Sequence, residues 1–325
     1  MNILVTGGAG YLGSHLVKKL LDYGHSVTLL DNFLYGSNGI KNIKDNKNVN
    51  IINGDICNIK DVVKAVKHND VAIALAAIVG DPACNLDEEE TLSTNYEATK
   101  VLIEICNFYR VKRLIFASSC SVYGANDNFL NESSPTNPIS LYARTRIMSE
   151  EIIMKNSRNG PVSTIFRMGT LYGTSQRMRF DLSINFMTAK ALIDGACEVF
   201  GGDQWRPFIH VEDAAEAYVK AISLEPEIID KEIFNVGFSE QNMKIYEIGN
   251  AIKTVFPDIN VINKRDLIDH RDYKVNFDKF ASNFKLHPRH TVQSAIKEIS
   301  QFVKDNNTKI NDDIYYNVKY IYKER

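Results

Sequence analysis

A serine, a tyrosine and an arginine are the side chains of this sequence best placed to move a proton. Ser118 and Ser119 close the apolar run Arg113–Ala117, and Tyr142 stands at the head of the helical pattern Leu141–Lys155, with Arg146 four residues on. Residues four apart share a helix face, so the phenol and the guanidinium can converge. A free tyrosine, with a pKa of about 10, is a poor base near neutrality. A fixed cation beside it, together with the positive ring of an oxidised nicotinamide, favours the phenolate and lowers that value by roughly 1–3 units. Such a phenolate takes the proton from a hydroxyl while Ser119 hydrogen-bonds the same oxygen and steadies developing charge. Ser119, Tyr142 and Arg146 are therefore the expected catalytic set.

Oxidising a hydroxyl also needs a hydride acceptor, and the N-terminus offers a place for one. Thr6-Gly7-Gly8-Ala9-Gly10-Tyr11-Leu12-Gly13 follows the first β-rich run and opens the first helix. Gly7 and Gly10 permit a tight turn and close approach to a pyrophosphate, and Gly13 lets helix and strand pack closely. The helix N-terminus at Tyr11 and Leu12 adds free N–H groups. Asp31, at the end of the second run, can accept hydrogen bonds from an adenosine ribose and would repel a 2′-phosphate, which favours NAD over NADP. Asp55-Ile56 after the third run either contacts adenine or forms a bare turn.

These residues need a scaffold, and the first half reads as one. Asn2–Thr6, Ser26–Leu30, Val49–Asn53, Asp70–Ala74 and Arg113–Ala117 are short, apolar and partly β-branched, as buried strands are. Helical patterns at Tyr11–Tyr23, Ile59–His68 and Ser93–Tyr109 alternate with them, and Leu141–Lys155 follows. The alternation predicts an α/β fold, a doubly wound parallel sheet of Rossmann type. Val162–Phe166 supplies a sixth strand and Phe208–His210 a short seventh. Residues 1–170, with a returning segment at about 205–224, form the expected dinucleotide-binding domain. Residues 171–204 and 225–325 form a smaller, discontinuous α/β substrate domain, with Glu198–Pro207 as a loop and Ile233–Val236 as one of its strands. The polar, tyrosine-rich tail after Asp305 takes no assignment.

Taken together, TGGAGYLG at 6–13, Asp31-Asn32, Gly36-Ser37, GDI at 54–56, ALAA at 74–77, Asn95, SSCSVYG at 118–124, YARTR at 142–146, WRPFIHVEDAA at 205–215 and FNVG at 234–237 resemble the extended short-chain dehydrogenase/reductases of the nucleotide-sugar epimerase and dehydratase group. The resemblance implies NAD as cofactor and a nucleotide-activated sugar as substrate. It places Asn32, Gly36, Ser37, Leu75, Ala76, Ala77, Asn95 and Met168 at the cofactor, beside Tyr142 and Arg146. It also implies Arg206 and Arg271 as clamps on the substrate pyrophosphate through charge-assisted hydrogen bonds, with Thr170 where relatives carry a sugar-contacting asparagine. Arg179 and Asn185 are further phosphate or sugar candidates, Phe200 belongs to the nucleobase or to the core, and His210 reads as a structural histidine. Two departures matter. Relatives carry lysine where this chain has Arg146, a forked and permanently charged donor. Dehydratases of the group carry an Asp-Glu pair where this chain has Cys120 and Ser121, so elimination of water lacks its acid and base.

Oxidation at C4 of the sugar is the expected first step. Among capsule-pathway members acting on GDP-linked sugars, a GDP-heptose 4-dehydrogenase is the specific expectation; a 4-epimerase, which returns the hydride to the other face, is the alternative. A non-catalytic NAD sensor is a third. The resemblance further implies a homodimer paired through Ser93–Tyr109 and Leu141–Lys155, whose apolar residues lie on more than one face.

Bulk composition agrees with such an enzyme. With 325 residues, 44% hydrophobic and 24% charged, the chain can bury a sizeable core. A net charge of −2 argues against a nucleic-acid or acidic-membrane surface. Five scattered cysteines without a C-x-x-C pair read as reduced thiols, not as a disulfide frame or a metal site. The opening residues lack a signal-peptide pattern, and the longest apolar run, Val71–Val79, is too short for a membrane span; a cytoplasmic location is expected.

Overall fold

The computed structural model describes residues 1–126, 128–156, 160–264, 272–306, 308 and 310–318. Its frame is a seven-stranded sheet: β1 (Asn2–Thr6), β2 (Ser26–Asp31), β3 (Val49–Asn53), β4 (Val71–Ala74), β5 (Arg113–Ser119), β6 (Val162–Met168) and β7 (Glu232–Val236). The strands run in the order β7-β6-β5-β4-β1-β2-β3, and every neighbouring pair is parallel. This is the doubly wound α/β sheet expected. Strand order reverses between β1 and β4, and the crevice beyond the carboxyl ends of those strands is where ligands lodge in such sheets.

The central strands are apolar throughout because helices cover both faces. On one face, helices Tyr11–Asp22 and Val211–Ser223 pack together, burying Leu16, Val17, Leu20, Ala217 and Tyr218 against Ile3, Val5 and Ile115. On the other, helices Ile59–Val66, Ala98–Phe108 and Leu141–Asn156 bury Val62, Leu102 and Ile153 against Leu4, Leu114 and Phe116. The helix predicted from Ser93 begins with a wide π-turn over Ser93–Glu97 before regular winding resumes at Ala98.

Two expectations about strands are corrected. The seventh strand of the sheet is Glu232–Val236, not Phe208–His210. Phe234 and Val236 have no exposed surface, and the Phe234 ring meets Phe166 and Phe284 edge-on at 6.4 and 5.1 Å, so sheet-edge burial decides its place. Phe208–His210 instead pairs in parallel with Thr170–Tyr172, in a separate three-stranded sheet with Asn242–Lys244. The predicted loop Glu198–Pro207 contains the end of strand Ala196–Phe200 and the start of strand Trp205–His210, joined through Gly201 and Gly202, both with positive φ. Helices Ser183–Asp194, Ile245–Val255 and Val292–Asp305 enclose a second core around Phe180, Phe208, Ile248 and Ile296.

Candidate active site

A cavity of about 670 Å³ opens at the carboxyl ends of the central strands. Its floor is the glycine turn after β1. Gly7 has φ +72°, and a Cβ there would stand 2.8 Å from the Ala76 nitrogen; a Cβ on Gly13 would stand 2.2 Å from the Gly7 carbonyl oxygen. Only glycine allows both that turn and the close passage of the loop after β4. Gly7, Gly10, Tyr11 and Leu12 line the cavity, as do Asp31, Asn32 and Gly36 after β2, Asp55 and Ile56 after β3, Leu75, Ala76 and Ala77 after β4, and Met168 at the end of β6. Asp31 accepts hydrogen bonds from the backbone N–H of Ala9 (2.9 Å) and Phe33 (2.8 Å), which fixes its carboxylate at the rim of the turn. Burial raises its pKa, and those two amides oppose the rise. A glycine cradle that a single Cβ would fill, with a held carboxylate beside it, suits a dinucleotide without a 2′-phosphate.

Ser119 and Tyr142 line the same cavity with Arg146 behind them. The Ser119 hydroxyl oxygen accepts from the Ser121 N–H at 3.1 Å. Arg146 is 2% exposed; it donates to the backbone carbonyls of Ala117 and Asn95, each at 3.3 Å. Burial pushes the Tyr142 pKa up, and the Arg146 charge pulls it back only in part. Desolvation of a phenolate in this dry corner outweighs the one neighbouring cation, so the expected lowering needs the nicotinamide ring charge beside the guanidinium. Beneath the site, Ser118 donates to Glu150, and Glu150 takes a forked pair from Arg167, with 2.7 Å to Nη2. Arg167 also donates to the Tyr123 hydroxyl (3.0 Å), which donates to Asn235 (2.7 Å). Tyr142, Arg146 and Glu150 lie one turn apart along one helix, so this buried network fixes how that helix faces β5.

Arginines also line the cavity, and Thr170, Arg179 and Arg206 are among its lining residues. Arg179 grips Asp181 at 2.8 and 3.0 Å; Arg206 donates to the Trp205 carbonyl and stacks on Tyr273 at 5.4 Å. Other expectations are corrected. Asn95 has no exposed surface and does not line the cavity: its side chain accepts from the Ile78 N–H (2.8 Å) and donates to the Ile78 carbonyl (3.0 Å). Asn185 is spent on the Gly173 and Arg179 backbone and the Tyr11 hydroxyl. Ser37 caps a short turn, and Phe200 ends a strand away from the cavity. Arg271 lies outside the described residues. His210 donates from Nε2 to Glu298 (3.2 Å), accepts the Glu212 N–H at Nδ1 and stacks on His290 at 3.8 Å, clear of the cavity. Cys120 is buried with its thiol on the Arg167 carbonyl, so no carboxylate stands beside Ser119 at that position.

Sequence reasoning passed over Arg177, Asp181, Tyr273, Tyr316 and Asn317, all of which line the cavity. Arg177, 4.4 Å above the Tyr35 ring, stands two residues from Arg179 and shares its basic stretch, which is signal enough. Tyr316 and Asn317 come from the tail and have no local pattern to announce them.

Comparison with known proteins agrees with this geometry. Residues 3–237 match the model of the NAD dependent epimerase/dehydratase family. The chain is 32% identical over 268 residues to Protein CapI of Staphylococcus aureus, covering 77% of this chain and 78% of that one. It is 27% identical over 318 residues to a UDP-N-acetyl-alpha-D-glucosaminuronate decarboxylase of Bacillus cytotoxicus, covering 93% and 97%. The structure superposes on UDP-glucuronic acid 4-epimerase from Bacillus cereus, solved with UDP-glucuronic acid and NAD, with a TM-score of 0.84 and 25% identity over 94% of this chain and all of that one. With the glycine cradle, the held Asp31 and the serine–tyrosine pair all in one cleft, the chain belongs to the NAD dependent epimerase/dehydratase family and is an NAD-dependent enzyme.

Proposed function

We propose that this enzyme is a nucleotide-sugar 4-epimerase acting on UDP-linked sugars and keeping its NAD throughout. The observation that carries the reading is one cavity lined together by the glycine turn, by Ser119 and Tyr142, and by Arg177, Arg179 and Arg206. NAD supplies the hydride acceptor and, in its oxidised form, a positive ring charge near the phenol. Tyr142 Oη takes the proton from the C4 hydroxyl and later returns it, while Ser119 Oγ hydrogen-bonds the same oxygen. Arg179 and Arg206 hold the diphosphate by charge-assisted hydrogen bonds, which leaves the sugar to turn over between oxidation and reduction. Glu150 and Arg167, through Ser118, keep the catalytic helix in register with β5 and touch no substrate.

The UDP-sugar enzymes among the relatives favour this over the GDP-heptose 4-dehydrogenase reading, since no described side chain enforces release of a keto sugar. Dehydration is disfavoured by Cys120 and Ser121. Purified enzyme given a panel of UDP-, GDP- and dTDP-sugars, heptoses included, should convert a UDP-sugar to its C4 diastereomer with no net change in nicotinamide absorbance. A keto sugar accumulating with reduced nicotinamide, dependent on an added acceptor, would instead establish the dehydrogenase. Pairing through helices Ala98–Phe108 and Leu141–Asn156 into a homodimer belongs to the same reading; Phe108, 78% exposed, lies at the end of the first. Sedimentation showing only monomer at micromolar concentration would overturn that part. Among the described residues no helix is long and apolar enough to cross a membrane.

A further inference from the structure

Residues 310–318 return to the cavity from the far side of the second core. The Phe180 N–H donates to the Tyr315 carbonyl at 3.0 Å, and the Tyr315 ring meets the Phe180 ring edge-on at 4.9 Å. Two residues later the chain joins the two walls of the cleft. The Asn317 backbone N–H hydrogen-bonds the Asp181 carboxylate, and the Asn317 side-chain amide donates to the Val79 carbonyl at 3.0 Å. Val318 then packs against the buried cluster of Ile78, Ala83 and Cys84, on which Tyr142, Leu34 and Tyr35 also pack. The tail is thus a strap across the end of the cavity that holds the base.

Asn317 lines the cavity and is 3% exposed, yet its side-chain oxygen has no hydrogen-bond partner among the described residues. The carbonyl of Val79 can only accept, so the amide NH₂ must face it and the oxygen cannot exchange places with the nitrogen. A buried acceptor left open is costly unless a donor arrives to fill it. Asn317 bonds Val79, and its neighbour Val318 joins the cluster that holds both Tyr142 and Tyr35, so the donors that can come within reach are hydroxyls of the sugar or of a cofactor ribose, and the NAD content of a variant separates the second from the first.

We propose that Asn317 is a sugar-specificity residue, whose side-chain oxygen accepts a hydrogen bond from a hydroxyl of the nucleotide-linked sugar while the strap seals that end of the cavity. The assignment rests on the nucleotide-sugar reading above. It gives a physical reason for selecting sugars that present a hydroxyl there: a site built around a hydroxyl rejects an analogue that lacks it, because the partner is left unpaired.

The test is calorimetric titration of NAD-loaded enzyme with UDP-glucose and with UDP. Asn317→Ala should weaken UDP-glucose about tenfold and leave UDP affinity and NAD content unchanged, with a somewhat lower melting temperature from the lost bond to Val79. Equal affinity of variant and wild type for UDP-glucose overturns the assignment alone. Equal loss for both ligands, or loss of NAD, overturns it too, by moving the contact to the diphosphate or the cofactor. Wild type that binds neither UDP-glucose nor any other nucleotide sugar of the panel overturns the proposed function, and this inference with it. Hydrogen exchange on the wild type gives an answer that needs no variant. UDP-glucose should slow exchange of the amides at 313–318 more than UDP does, and identical protection by the two ligands overturns the contact.

Discussion

The Arg146 guanidinium lies over the Tyr142 ring, its central carbon 5.3 Å from the ring centroid, while the Phe116 ring takes the same cation at 5.2 Å. The charge that replaces the family's lysine is thus held by two rings and two backbone carbonyls, with no carboxylate paired to it among the described residues. Its influence on the base is lowering, against a larger rise from burial. Removing it should therefore move the rising limb of the kcat/KM profile to higher pH. Arg146→Met should shift that limb upward by about one unit or more, and Arg146→Lys, which keeps the charge, by less. A profile for Arg146→Met that overlays the wild type would show that the guanidinium does not tune the phenol.

Tyr142→Phe removes the hydroxyl and little else, because the ring keeps its place on the Ile78 and Cys84 cluster and under Arg146. Turnover should fall by about 10²–10⁴-fold, the usual contribution of a positioned proton-transfer group. Bound NAD, released by denaturation and measured by absorbance, should be unchanged. Near-normal turnover would remove Tyr142 as the base.

Gly7→Ala places a methyl 2.8 Å from the Ala76 nitrogen at a φ of +72°, so the substitution is blocked by both space and backbone conformation. NAD affinity should drop at least tenfold, with a lower melting temperature, since the loop carrying Leu75–Ala77 must retreat. Full NAD content in purified Gly7→Ala protein would argue that the turn plays no part in holding the cofactor.

Glu298 links helix Val292–Asp305 to the loop after Tyr172, accepting from the Thr174 N–H (2.7 Å) and hydroxyl and pairing with His210. Although burial alone would raise its pKa, the His210 and Thr174 contacts bring it down to about 2. A folded value below the unfolded one means the stabilisation is complete above about pH 4.5 and fades as pH falls toward 2. Its size is on the order of 2 kcal/mol. Glu298→Gln should melt well below wild type at pH 7, and the gap should close as the melts are carried down toward pH 3. A gap independent of pH would assign the loss to packing instead of charge.

How much of this could be read from the chain depended on how local each signal was. The turn at Gly7–Gly13 and the carboxylate of Asp31 follow from neighbours in sequence, as do the apolar runs of the first six strands, and the sheet formed as expected. The exchange of Glu232–Val236 for Phe208–His210 at the sheet edge was not legible, because both are short apolar strands and only distant rings such as Phe166 and Phe284 decide between them. Asparagines were the weakest ground. Residue type says that Asn95 and Asn185 will hydrogen-bond, but not whether to a ligand or to the backbone, and both chose the backbone. Asn317 shows the reverse case, a site-lining residue in a tail with no periodicity.

Asn95 also ties together parts that could otherwise shift separately. Its side chain clasps Ile78 in the loop after β4, and its carbonyl, inside the π-turn, receives Arg146 and the Ser149 hydroxyl from the neighbouring helix. One rigid joint therefore spans the cofactor loop and the catalytic helix before any ligand arrives. An enzyme assembled this way spends little of its binding energy on rearrangement, so exchanging substrates should alter affinity far more than it alters the shape of the reacting corner.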